Sequence, residues 1–192
     1  MENITVLFPG AFKPMHAGHI DLISKYTADP SVNEVKILIG PGKRGEIDQN
    51  LALKIAQNLI PIEMDSKIRI QAVSELTPVT TAYKFVANAD PGTYTLAASS
   101  KETENINRTK LFVLNHNNGK YPLPKGVKVI EMTVDIDPLI YEGRTDQHNG
   151  KPISASVLRH DLEHHSFENF KTNYPNCSED TIITIWNLLH IK

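Results

Sequence analysis

Short apolar runs that end in glycine or proline turns alternate along this chain with segments of helical period, and that alternation restricts the fold more than any other feature. Ile4 to Phe8 ends at Pro9-Gly10, Val35 to Ile39 at Gly40-Pro41-Gly42, and Ile68 to Val73 and Tyr94 to Ala98 are similar runs. Each reads as a buried strand entering a turn. Between them, Ala17 to Ala28, Leu51 to Ile60 and Val79 to Ala89 carry apolar residues at helical spacing, stopped by Asp29-Pro30 in the first case and Asp90-Pro91-Gly92 in the last. Val127 to Val134 suggests a further strand, and Ser154 to His165 and Thr181 to His190 two further helices. Leu111 to Leu114 fits either state, and Asn115 to Gly126 reads as an exposed, turn-rich loop. Short apolar strands that alternate with helices point to a parallel sheet covered on both faces. With right-handed crossovers this is an α/β, Rossmann-like, doubly wound parallel sheet. Its ligands are expected beyond the carboxyl ends of the strands, where the segments after Phe8 and Ile39 fall.

The 192 residues suit one domain spanning 1–192, with a core over about 3–165 and a C-terminal helical segment over about 178–190. Apolar residues at 40% and charged residues at 22% exclude wholesale disorder. A net charge of −2 gives no general attraction to nucleic acid or an anionic membrane, so any phosphate site must be built locally. The single cysteine, Cys177, excludes an intrachain disulfide and a multi-thiolate metal site. The N-terminal apolar run is too short for a signal peptide or a membrane span, and the cytoplasm is the expected setting.

Two strings carry chemistry. The first runs from Pro9 to His19 (PGAFKPMHAGH), a glycine-bearing turn leading from a strand into a helix. The free N–H groups and dipole of a helix start favour an anion. His16 and His19, three residues apart, share a face if both lie in the first turn, and Gly18 leaves the backbone open to a flat ring or a phosphate. Two imidazoles there suit a phosphate that passes through a five-coordinate state, and a nearby polyphosphate favours their protonated form. A solvated helix start is the ordinary reading of a lone His-x-x-His pair, and a zinc site lacks a third ligand. The second string, Ile153 to Arg159 (ISASVLR), offers Ser154 as an N-cap, Ser156 in the first turn and Arg159 in the next, all able to hold phosphate oxygens. Taken alone it is equally a capped helix with a surface arginine.

Together the strings resemble the HxGH nucleotidyltransferase superfamily. Gly10, Phe12, Pro14, His16, Gly18 and His19 match its G-x-F-x-P-x-H-x-G-H signature, and the second string resembles its I-S-[ST]-[ST]-x-[IL]-R motif. Ala11 and Ala155 stand where many members carry a hydroxyl, so two phosphate contacts are missing from the pattern. The resemblance implies transfer of a nucleoside monophosphate from an NTP to a phosphorylated small molecule, with release of pyrophosphate. It makes His16, His19 and Arg159 catalytic, and Pro9, Gly10, Ala11, Phe12, Lys13, Gly18, Ser154, Ser156 and Arg159 nucleotide-binding. Mg²⁺ enters with the NTP phosphates, with no direct protein ligand expected. Lys43 and Arg44, after the second strand, would hold the acceptor's phosphate, although a solvated loop serves equally well as a reading. Ser99, Ser100 and Lys101, followed by Asn105 to Arg108, fall where the family places base or ribose contacts.

Phe12-Lys13-Pro14 is nearer to the Phe-Gln-Pro of archaeal-type nicotinamide mononucleotide adenylyltransferases than to the Asp-containing cytidylyltransferase pattern, so ATP is preferred over CTP. The string is also similar to small nucleotidyltransferases of large tailed phages, for which the setting would be the host cytoplasm. The alternatives are a cytidylyltransferase acting on a phosphorylated alcohol or sugar, an acyl-adenylate-forming ligase, and a non-catalytic nucleotide sensor. His160 and His164 have metal-chelating spacing but read as a polar helix surface. Trp186 and its apolar neighbours read as a packing helix or subunit contact.

Overall fold

The computed structural model describes residues 3–60, 64, 66–75, 77–100, 103–137 and 153–190. Five parallel strands form one sheet in the order β3-β2-β1-β4-β5: β1 (Ile4–Gly10), β2 (Val32–Ile39), β3 (Ile68–Ala72), β4 (Gly92–Leu96) and β5 (Val127–Val129). The helices are α1 (Ala17–Ala28), α2 (Gln49–Leu59), α3 (Pro78–Val86), α4 (Thr103–Asn117), α5 (Ala155–Glu163), α6 (Phe167–Thr172) and α7 (Glu179–His190). The sheet is α/β and Rossmann-like, as the alternation of runs implies.

The period of two along each strand divides the core between the two faces. Val6, Phe8, Ile37 and Ile39 pack with Leu22, Ile23 and Tyr26 of α1 and Ala52, Ile55 and Ala56 of α2. Leu7 and Leu38 point the other way, into a cluster with Ala82 and Val86 of α3 and Phe112 of α4. The chain therefore winds outward from β1 to β3 under one layer of helices, then returns to lay β4 against the other edge of β1 under the second layer. That reversal opens a crevice beyond the carboxyl ends of β1 and β4, and the loop carrying His16 and His19 leaves β1 at this point.

Several buried polar groups fix this end of the sheet. The Tyr26 hydroxyl donates to the Met132 carbonyl oxygen at 2.8 Å and accepts from the Ala98 N–H at 3.1 Å, with the Ala98 carbonyl oxygen also 3.1 Å away. This tie accounts for a departure from the expected Val127 to Val134 strand. β5 stops at Val129, the Met132 carbonyl turns to Tyr26, and pairing resumes only at a bridge between Val134 and Ser99. Gln49 Nε2 donates to the carbonyls of Ile39 and Val73 at 2.7 and 2.8 Å, holding the ends of β2 and β3 together.

Leu111 to Leu114 is helical, and α4 runs on into the segment expected to be loop. Its last turn is held because His116, 2% exposed, is buried beside Phe112, Tyr83 and Tyr121. α6 is an additional short helix with Phe170 fully buried. No helix among the described residues is long and apolar enough to cross a membrane.

Candidate active site

The loop after β1 is shaped by an aromatic wedge. Phe12 adopts a left-handed φ of 50°, a conformation that costs a non-glycine residue of order 1–3 kcal/mol. Its ring is buried edge-on against Phe8 and His19, with centroids at 5.1 and 5.0 Å. Gly10 is required by this approach, since a Cβ there would lie 2.8 Å from the Phe12 ring. Pro9 is buried within β1, and Ala11 is exposed.

His16 is the N-cap of α1, Gly18 and His19 lie in its first turn, and the two imidazole centroids are 3.8 Å apart. The His16 backbone N–H donates to His19 Nδ1 at 3.3 Å, which leaves the proton of a neutral His19 on Nε2. Buried His16 Nδ1 has no partner among the described residues. Burial pushes His19 down to about 4. Burial, reinforced by His19, holds His16 well below the ordinary imidazole range. Burial thus disfavours the charged form of both rings, and a bound polyphosphate would favour it.

The sign of the resulting linkage is fixed. An unfolded histidine binds its proton near pH 6.5, whereas His19 in the folded chain does so only near 4. Between these values the unfolded state binds more protons, so stability is full above pH 6.5 and is lost as pH falls toward 4. The slope approaches about 1.4 kcal/mol per pH unit for each such group. Thermal melts over that range should show this fall, with a shallower slope in His19→Gln; an unchanged slope in the variant contradicts the buried, neutral state.

The second string arrives at the same place from the far end of the chain. Ser154 caps α5, its Oγ accepting from the Val157 N–H at 3.3 Å. Arg159 Nη1 donates to the carbonyl oxygen of Lys13 at 2.6 Å, and Nη2 donates to Ser156 Oγ at 3.2 Å. Two helix N-termini, a histidine pair and a guanidinium thus converge on one loop, an arrangement suited to a polyphosphate. Lys13 itself is 2% exposed. Its ammonium donates to the carbonyls of Gly40, Pro41 and Gly42 at 3.1, 2.8 and 2.7 Å, so any nucleotide contact from Lys13 as it stands uses its backbone.

The loop after β2 is exposed from Gly42 to Glu46. Lys43 pairs with Glu46 at 3.0 Å, and Arg44 forms a tight turn with Ile47 through two backbone hydrogen bonds. A Cβ at Gly45, whose φ is 58°, would lie 3.6 Å from Arg159 Cδ, so this loop adjoins the guanidinium. Ser99 is fully buried beyond β4, Ser100 Oγ donates to Asp135, and Lys101 lies outside the described residues. Arg108 pairs with Glu104 on α4 at 3.1 Å. The His160 and His164 rings stack at 4.1 Å, with His164 Nδ1 at 2.8 Å from the His160 carbonyl oxygen. No group of three metal-ligating side chains occurs among the described residues.

Two supporting residues carry no signal in the sequence. Tyr174, fully buried, donates from its hydroxyl to the carbonyl of Met15 at 2.7 Å, bracing the residue before His16. Asn173 Nδ2 donates to Asp161 Oδ2 at 3.0 Å, fixing α5 against the segment after α6.

No protein-family profile matches the chain, and no curated protein matches it. Solved structures do. A Plasmodium falciparum nicotinic acid mononucleotide adenylyltransferase complexed with APC is similar over 100% of this chain and 99% of its own, with a TM-score of 0.58 at 15% identity. The same enzyme complexed with NaAD gives 0.55 at 16% identity, over 100% of this chain and 99% of its own. A bifunctional NMN adenylyltransferase/ADP ribose pyrophosphatase from Francisella tularensis, complexed with AMP and an Mn ion, gives 0.56 at 16% identity. That match takes in all of this chain and 50% of the other. The chain has the fold of the nicotinic acid mononucleotide and NMN adenylyltransferases.

Proposed function

We propose that this chain is an adenylyltransferase that moves AMP from ATP, taken as its magnesium complex, to the phosphate of a small phosphorylated acceptor, and releases pyrophosphate. The observation that supports the reading is the bond from Arg159 to the Lys13 carbonyl, which brings together residues of the two strings 146 positions apart. His16 and His19 hydrogen-bond the α-phosphate, and their donors strengthen as charge accumulates on its equatorial oxygens. Ser154, Ser156 and Arg159 hold the β- and γ-phosphates that leave as pyrophosphate. The backbone of Gly10 to Lys13 and the open approach at Gly18 receive the nucleotide. Acceptor phosphate oxygen attacks, the bond to the β-phosphate oxygen breaks, and no covalent enzyme intermediate is needed.

A pyridine mononucleotide is the acceptor favoured by the fold likeness and by Phe12-Lys13-Pro14, and ATP is favoured over CTP on the same ground. A thermal-shift series with ATP and CTP, each with Mg²⁺, tests the nucleotide. A ligand at about 100 times its Kd stabilises by about 2.7 kcal/mol, so ATP should raise the melting temperature clearly and CTP should not. The reverse order favours a cytidylyltransferase.

The acceptor's dianion must approach in line, opposite the departing pyrophosphate, and needs its own cations. Lys43 and Arg44, on the exposed loop after β2, are the cations we assign to it. Changing both to Ala should raise the acceptor KM and leave the ATP KM unchanged, and salt should weaken the wild-type acceptor KM because the loop is exposed. Loss of ATP affinity alone would instead give the loop to the nucleotide.

A further inference from the structure

Lys13 sits within the phosphate-binding loop, but its charge is spent inside the protein. An ammonium has three N–H donors, and the three carbonyls of Gly40, Pro41 and Gly42 lie within hydrogen-bond reach of it. They are consecutive, at the point where the chain leaves β2 for the exposed loop. Burying an ammonium is costly unless such partners compensate, and removing it would leave a row of carbonyls short of donors. The Lys13 main chain, meanwhile, accepts the Arg159 guanidinium at 2.6 Å. A second backbone link runs parallel to the first, with the Gly40 N–H donating to the Gly10 carbonyl at 2.9 Å.

One residue thus touches both halves of the site, the phosphate grip through its carbonyl and the loop after β2 through its ammonium. We propose that Lys13 is a positioning residue that fixes the 40–46 loop relative to the phosphate grip, so that an acceptor phosphate on that loop meets the α-phosphate in line. The proposal rests on the adenylyltransferase reading above and changes the role of Lys13 within it, from nucleotide ligand to strut. To reach a phosphate, Nζ would have to leave carbonyls that already saturate it.

Lys13→Met tests this, because it retains most of the length of the side chain and removes its donors and charge. ATP affinity is measured by calorimetry, and KM and kcat are measured with nicotinic acid mononucleotide and nicotinamide mononucleotide as probes. The Arg159 contact is to the main chain, so ATP affinity should persist. A loop displaced by an ångström should raise the acceptor KM by roughly tenfold to a hundredfold. A parallel loss of ATP affinity overturns the proposal by making Lys13 a nucleotide ligand. A lower melting temperature with both substrate constants unchanged overturns it by making Lys13 merely structural.

A measurement on the wild type covers the case in which the variant does not fold. With lysine labelled at Nζ, the NMR signal of the Lys13 ammonium should be protected from exchange and remain so at saturating ATP with Mg²⁺. Its displacement or loss on adding nucleotide contradicts the proposal. Absence of pyrophosphate release by the wild type with either probe counts against the adenylyltransferase reading, while the NMR result still decides whether Lys13 is a strut.

Discussion

His19→Ala should lower turnover by roughly 10²–10³-fold while ATP binding stays nearly intact, the loss typical of one donor aimed at developing charge. The geometry sharpens this expectation. With Nδ1 occupied by the His16 N–H, Nε2–H of His19 is the donor left for a phosphate oxygen. The ring is held against Phe12 and beside His16, so it needs little reorganisation when charge appears. His16→Ala should cost a similar factor with some loss of binding, since its buried Nδ1 has no partner among the described residues. His19→Gln, which retains an amide donor, should fall between wild type and Ala. Steady-state kcat and calorimetric ATP affinity, measured on the same preparations, separate the two effects. Near-wild-type kcat in both alanine variants would remove the histidines from the chemistry.

Arg159→Ala should have the next largest effect, on binding rather than on turnover. The structure commits two of the guanidinium's five donors to protein, one to the Lys13 carbonyl and one to Ser156. Those contacts orient the group, and in the proposed function its other donors hold the β- and γ-phosphates. Losing a charge-assisted contact costs about 1.5–3 kcal/mol, or roughly a 10- to 150-fold weaker Kd for ATP. Arg159→Lys should recover only part, because an ammonium lacks the planar fork that spans the loop carbonyl, the serine and a phosphate. Equal ATP affinity in wild type and Arg159→Ala would place the triphosphate elsewhere.

What could be read from residues alone was whatever is local and periodic. Ala17 to Ala28 emerges as a helix with the same bounds, because its apolar spacing and the Asp29-Pro30 stop are both contained in the segment. The strands read well for the same reason: β1 and β2 are central and covered on both faces, so their apolar runs are nearly unbroken. Leu111 to Leu114 was ambiguous because Leu111 and Leu114 are about half exposed and only Phe112 between them is buried, so apolar character does not mark the buried face. α6 is six residues long, too short for a period to show.

The site divides along the same line. His16, His19, Ser154 and Arg159 could be picked out because each string is compact and its residue types are unusual together. The contacts that shape their surroundings, from Tyr174 to Met15, Gln49 to Ile39 and Val73, and Lys13 to the 40–42 carbonyls, are made to backbone atoms. Any residue can supply a carbonyl, so the acceptor leaves no mark in the sequence, and only the fold brings it within reach. The lowered pKa of the two histidines was equally hidden, since it follows from burial, for His19 beside Phe8 and Phe12, and not from residue type.

The most direct test of the account is a pyrophosphate-release assay with purified protein, ATP and Mg²⁺, with nicotinic acid mononucleotide and nicotinamide mononucleotide added separately and the products identified by mass. The account predicts release only when ATP and a phosphorylated acceptor are both present, one pyrophosphate for each adenylylated acceptor, and loss of that signal in His19→Ala. Pyrophosphate formed with a carboxylic acid that bears no phosphate, or tight ATP binding with no turnover across phosphorylated acceptors, would contradict it.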